Sequence, residues 1–302
     1  MSHDAPRRHR ARKRFGQHFL EPVWVDKVVA AIDPKPDDLF LEIGPGAGAL
    51  TRPLAARATA VVAFEIDRDL AGELTRLAPD NVQVVVGDFL AAEDYRLSTI
   101  DSRPAASRTR PEATDRVRVA GNLPYNVAAP ILFKLVDMHA GGVPLTDATV
   151  MLQREVADRL LAVPGTKDYG VLTVLIRHSA SVQRLLNLPP GAFRPPPKVQ
   201  STVVRLQFHA PDPPVHDVNL FRELVQAVFT RRRKTLSNAL LAFRPTPALL
   251  RPYSGPSRSR TGVGPEYVLR VTGVDGRRRP ETLTVEEFAR LADAFASAPH
   301  RT

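Results

Sequence analysis

Cysteine is absent from the 302 residues of the chain, so disulfides, thiolate metal sites and a cysteine nucleophile are excluded together. The same absence removes methylation at pyrimidine C5, where a protein thiolate normally activates the ring. Long apolar runs are also missing. No stretch approaches the length of helix needed to cross a bilayer, and the first residues lack the apolar core of a signal peptide. With 43% hydrophobic and 25% charged residues the sequence reads as soluble and globular, and a cytoplasmic location is expected. Nothing in the chain suggests a metal. Acidic residues are in deficit, 32 against 42 Lys and Arg, which gives a formal charge of +10. The surplus gathers at Arg7 to Arg14, Arg231-Arg232-Arg233-Lys234 and Arg277-Arg278-Arg279. One such run is ordinarily a solvated face; three with this net charge point to nucleic acid.

Residues 1–11 are polar and basic without apolar periodicity and read as a flexible arm. Apolar residues from Phe15 to Val29 then recur at helical spacing and end near Asp33-Pro34. Beyond them short apolar runs alternate with helical patterns: strands at Leu39 to Ile43, Ala60 to Phe64 and Val82 to Val86, helices at Ala49 to Ala58 and Leu70 to Leu77. This alternation predicts an α/β domain with a parallel sheet covered on both faces. Further strands are expected at Val117 to Ala120, Ala148 to Leu152, Val171 to His178 and Thr202 to Phe208, with a helix from Ala128 and another at Glu155 to Ala162. The segment Arg96 to Arg116 reads as a surface loop. Ala210-Pro211-Asp212-Pro213-Pro214 has linker composition. The expected division is therefore an α/β domain over 12–209 and a small all-helical domain over 212–302, with helices at Leu220 to Phe229, Thr235 to Phe243 and Val285 to Phe295 and an irregular stretch at Pro245 to Gly264.

Three strand ends carry chemistry. After Leu39 to Ile43 comes Gly44-Pro45-Gly46-Ala47-Gly48, where glycine lets a ligand reach the backbone. The spacing is G-x-G-x-G, and Ala49 stands where a dinucleotide fingerprint would differ, so a pyrophosphate cradle is disfavoured. The next strand ends at Glu65, placed to accept from ribose hydroxyls. The third ends at Asp88-Phe89, an acceptor for an exocyclic amine beside an apolar ring. Together these describe a nucleoside site without a phosphate chain, as in S-adenosylmethionine. A fourth strand end holds Gly121-Asn122-Leu123-Pro124-Tyr125-Asn126, where Asn122 and the Leu123 carbonyl are acceptors, Pro124 fixes the turn and Tyr125 offers a flat face.

Phe15-Gly16-Gln17-His18-Phe19-Leu20, the glycine turn, Asp88, the turn at Gly121, Met151-Leu152-Gln153-Arg154-Glu155-Val156, Ala192 to Val199 and Arg232-Arg233-Lys234-Thr235-Leu236 resemble, in order, the ribosomal RNA adenine N6-dimethyltransferases. The likeness spans about residues 12–295 and is closest to the housekeeping enzymes of the small subunit. It implies a Rossmann-like S-adenosylmethionine-dependent methyltransferase domain with a helical second domain. The implied reaction dimethylates two adjacent adenines near the 3′ end of 16S ribosomal RNA in the small ribosomal subunit, by a monomer, in ribosome biogenesis. The resemblance also implies cofactor contacts from Gln17, His18, Leu20, Gly44, Gly46, Glu65, Asp88, Phe89 and Asn122, a target site of Asn122, Leu123, Pro124 and Tyr125 with Phe193 over the second face of the base, and RNA contacts from Arg231, Arg232, Arg233 and Lys234. His18 stands where many members have asparagine, and Ala128 and Ala129 replace more usual hydroxyl-bearing residues. Two alternatives remain at this stage: a dimethylase of 23S ribosomal RNA conferring macrolide resistance, and a non-catalytic assembly factor on the same scaffold.

Overall fold

The computed structural model describes residues 18–92, 116–243 and 264–297. The arm at 1–11, Gln17, nearly all of the loop expected at 96–116 and the stretch expected to be irregular near 245–264 lie largely outside them. Contacts between residues group the chain into two compact units, Met1–Ala157 with Gln183–Gln207, and Asp158–Val182 with Phe208–Thr302.

The first unit opens on the two-residue strand β1 (Phe19–Leu20) and helix α1 (Pro22–Ile32), then alternates β2 (Leu39–Ile43), α2 (Thr51–Ala55), β3 (Ala60–Glu65), α3 (Arg68–Leu77) and β4 (Val82–Val86). It continues with β5 (Val117–Asn122), α4 (Ala128–Ala140) and β6 (Leu145–Gln153). Strands β2 to β6 are parallel neighbours in the order β4-β3-β2-β5-β6, and β9 (Ser201–Phe208) joins β6 antiparallel, with β7 (Ala180–Leu188) beyond it, while the two-residue β8 (Phe193–Arg194) pairs with β1. The strand order reverses between β2 and β5, and at such a switch point an open α/β sheet leaves a crevice at its carboxyl edge. Continuous apolar runs such as Ala-Val-Val-Ala-Phe in β3, buried throughout, are what a two-sided parallel sheet requires.

Opposite the crevice, near the start of β5, Arg118 holds the sheet to α1. Its guanidinium pairs with Asp38 at 2.6 Å and Asp147 at 2.8 Å and donates to the carbonyls of Ile32 and Asp33, while Arg205 donates to those of Ala31 and Ile32. These arginines satisfy the carbonyls that a helix leaves unpaired at its last turn.

In the second unit, Val171–Arg177 is a helix, not the expected strand. The run Val-Leu-Thr-Val-Leu-Ile is β-branched and apolar, which suits a strand, yet it is also short enough to be a buried helix turn. Burial of all four residues Thr173 to Ile176 against helical neighbours decided the matter. Helices Val218–Phe229, Leu236–Leu240, Pro265–Thr272 and Val285–Ala296 complete the unit, the last starting with a Thr284–Glu287 capping box. Of the basic run 277–279, Arg278 is committed internally to Glu287 and Thr282. No helix among the described residues is long and apolar enough to cross a membrane.

Candidate active site

The carboxyl ends of β2, β3, β4 and β5 wall one open cleft of about 1040 Å³, counting the solvent at its mouth. The glycine turn after β2 forms its floor, and Gly44, Gly46 and Gly48 have φ of 72°, 57° and 82°. This left-handed region is open to glycine and costly for other residues. On the neighbouring strand, Gly121 is dictated by proximity: a β-carbon there would lie 2.4 Å from the carbonyl oxygen of Ile43. That close approach brings Asn122 beside Gly44 across the switch point.

Glu65 ties two strand ends together, one carboxylate oxygen accepting from the Gly46 N–H and the other from the Asp67 N–H, each at 2.9 Å. Burial raises its pKa, and these backbone bonds oppose the rise. Asp88 is exposed and accepts from the Leu90 N–H, while Phe89 packs edge-on against Phe64 with centroids 5.6 Å apart. Lys134 of α4 braces this segment by donating to the carbonyls of Leu90 and Ala92, its ammonium 5.4 Å from the Phe89 ring.

The entry segment closes the cleft on another side. Leu20 pairs with Phe193 and Phe19 with Arg194 in a two-residue antiparallel ladder, and the His18 ring, which must carry its proton on Nδ1, donates to the Pro195 carbonyl at 2.7 Å. His18 also lies against Tyr125, with ring centroids 5.6 Å apart and planes 25° from parallel. The Asn122 side-chain N–H donates to the His18 main-chain carbonyl at 2.8 Å, and the Tyr125 hydroxyl lies 2.8 Å from that of Ser201.

Among the expected site residues, His18, Leu20, Gly44, Gly46, Glu65, Asp88, Phe89, Asn122, Leu123, Pro124 and Tyr125 all line this cleft. Phe193 does not. It is 2% exposed and packs among Leu20, Val28, Val29 and Leu188. Alternation along the short ladder sends Arg194 outward and Phe193 into the core, so Phe193 anchors the proline turn instead of covering a base. Sequence reading also missed Glu42, a carboxylate inside the apolar strand β2 that lines the cleft at 1% exposure. Burial raises its pKa to about 7, offset in part by Thr51 and augmented by Glu65, and its Oε2 has no hydrogen-bond partner among the described residues. The signal was an acid two residues before Gly44 in an otherwise apolar run.

The lining thus holds three carboxylates, Glu42, Glu65 and Asp88, and among the described residues no lysine or arginine. Such a set of acidic acceptors repels a phosphate chain and suits a cationic ligand bearing hydroxyl and amino groups. Arg231, Arg232, Arg233 and Lys234 belong to the second unit, where with Thr230 and Asn238 they line a separate open concavity of about 950 Å³. There Arg232 is partly held by Glu281 and the Thr166 carbonyl, while Arg233 and Lys234 are exposed.

A doubly wound sheet in this order, with an amide-bearing turn and an acidic cleft at its switch point, is the fold of an α/β methyltransferase. The particular family follows from comparison: the chain belongs to the ribosomal RNA adenine dimethylase family, whose model matches residues 8–254. It is 38% identical over 293 residues to ribosomal RNA small subunit methyltransferase A of Pseudomonas fluorescens, covering 96% of each chain. It is 42% identical over 294 residues to the protein of the same name from Nitrosococcus oceani, covering 96% of this chain and 98% of that one. Among solved structures it resembles a dimethyladenosine transferase from Plasmodium falciparum, with a TM-score of 0.66, 25% identity and 91% and 96% of the two chains covered. It also resembles the 23S rRNA methyltransferase ErmE, with a TM-score of 0.59, 27% identity and 92% and 99% covered.

Proposed function

We propose that the chain uses S-adenosylmethionine to dimethylate the N6 amino groups of two adjacent adenines near the 3′ end of 16S ribosomal RNA in the small ribosomal subunit. The full-length likeness to small subunit methyltransferases supports the choice of RNA. The observation that carries the cofactor is the three-carboxylate cleft, which among the described residues is lined by neither lysine nor arginine. Glu65 would accept from the ribose hydroxyls, Asp88 from the adenine amine, and the unpartnered Oε2 of Glu42 fits a ligand that carries positive charge. When bound, the sulfonium supplies an electrophilic methyl group.

The target nitrogen is a poor nucleophile because its lone pair is delocalised into the ring. Asn122 Oδ1 and the Leu123 carbonyl, accepting its hydrogens, would favour a tetrahedral nitrogen with the lone pair free for in-line attack. The surplus proton of the methylated amine would leave to solvent, so Asn122 and the Leu123 carbonyl need only accept hydrogen bonds and no residue of the chain need act as a strong base. Tyr125 would stack on the splayed-out base, a contact typically worth about 1–3 kcal/mol. Arg233 and Lys234 would hold RNA phosphates. Binding of radiolabelled S-adenosylmethionine to the purified chain tests the cofactor: saturable uptake displaced by S-adenosylhomocysteine, and not by NAD, is expected. Failure to bind would favour the assembly-factor alternative.

A further inference from the structure

The geometry points to Ser201 as a positioning residue for the target adenine, acting through the ring of Tyr125 and weighing most heavily on the second methyl transfer. The inference rests on the proposed function and extends it. Ser201 is 1% exposed and lies at the head of β9, in register with Gln153 of β6, so its backbone is fixed in a sheet ladder. A serine side chain has a single heavy-atom torsion, and its oxygen therefore occupies a defined place. Tyr125, by contrast, sits in the irregular turn between β5 and α4, closed by a Val127 N–H to Pro124 carbonyl bond of 3.1 Å. Left alone, its ring could rotate about its side-chain torsions. The 2.8 Å hydroxyl–hydroxyl bond ties the far end of that ring to the sheet. Burial raises the phenol pKa, so the tyrosine hydroxyl keeps its proton and can donate it to Ser201. His18 rests against the ring from another side.

The consequence concerns alignment. A base stacked on Tyr125 takes its tilt from the ring plane, and that tilt sets where the amino nitrogen falls relative to Asn122 and Leu123. An unmethylated amine has two N–H bonds to orient it. Once monomethylated it keeps one, and the stacking plane must supply more of the alignment. Ser201 does not line the cleft, so cofactor binding should not depend on it.

The test is methylation of undermethylated small ribosomal subunits by the wild-type chain, Ser201→Ala, Tyr125→Phe and the double variant, with mono- and dimethyladenosine measured by mass spectrometry. Each single variant should raise the monomethyl-to-dimethyl ratio by about threefold to tenfold, the effect of one neutral hydrogen bond. The double variant should match either single one, and Ser201→Ala, whose side chain lies outside the cleft, should keep the wild-type affinity for S-adenosylmethionine. Tyr125→Phe removes the same bond without touching the strand, so the outcome does not hang on how Ser201→Ala folds. A wild-type ratio in Tyr125→Phe, or a double variant whose shift is the product of the two singles, overturns the assignment. If the wild-type chain itself yields no methyladenosine, the proposed function fails and this inference with it.

Discussion

The side-chain N–H of Asn122 donates to the main-chain carbonyl of His18 at 2.8 Å. A carbonyl can only accept, so this contact fixes which end of the carboxamide is nitrogen and makes Oδ1 its accepting end. The entry segment thereby sets the orientation of the Asn122 carboxamide, the group proposed to receive the target amine.

Replacing Asn122 by Asp keeps the shape but sets an oxygen against the His18 carbonyl. Methyl transfer should fall by about 10²-fold or more, the usual effect of losing one preorganised polar contact in a site. Asn122→Ala should behave similarly, and both variants should keep affinity for S-adenosylmethionine within a small factor, measured by equilibrium dialysis. Near-normal turnover in either would remove Asn122 from the mechanism.

Under the proposed function, Glu42 should make cofactor affinity pH-dependent. With its pKa near 7 in the folded chain, against an ordinary 4.5, the carboxyl is largely protonated in mild acid. A cationic ligand favours the carboxylate, so binding should release a proton and affinity should rise between about pH 6 and about pH 8. The same shift places a stability cost on ionisation: the contribution is fully present below 4.5 and is lost as pH rises through about 7. Glu42→Gln should flatten both profiles, read by calorimetry and thermal denaturation. An unchanged pH profile in the variant would contradict this role.

Arg118 is a folding residue. Replacing it with Met would strand Asp38 and Asp147 and uncap the end of α1, at a cost of about 3–5 kcal/mol. The melting temperature should fall, while turnover per folded molecule well below the transition should stay close to normal, because the arginine lies at the opposite end of the strands from the cleft.

In the basic turn, Arg232 already has protein partners. Neutralising Arg233 and Lys234 together should therefore reduce the slope of RNA affinity against salt by more than neutralising Arg232 alone. Titrations across ionic strength read this directly, and equal slopes would assign the turn to a solvated surface.

Most of the cleft was legible because parallel strands end where their apolar runs end. Gly44, Glu65, Asp88 and Asn122 could each be placed on one edge from that alone. Val171–Arg177 was misread because periodicity does not separate a short buried helix from a strand. The strand Ala180–Leu188 was missed because a polar sequence such as Gln183-Arg184 hides pairing that tertiary contacts supply. Phe193 showed its aromaticity but not its side of the ladder, and Glu42 was hidden inside a strand that otherwise looked like core.

Incubation of the purified chain with undermethylated small and large ribosomal subunits and S-adenosylmethionine, followed by mass spectrometry of the RNA, tests the central claim most directly. The predicted result is N6,N6-dimethyladenosine at two adjacent adenines near the 3′ end of 16S ribosomal RNA, lost in Asn122→Ala. Dimethylation confined to 23S ribosomal RNA, or no methyladenosine on either subunit, would contradict it.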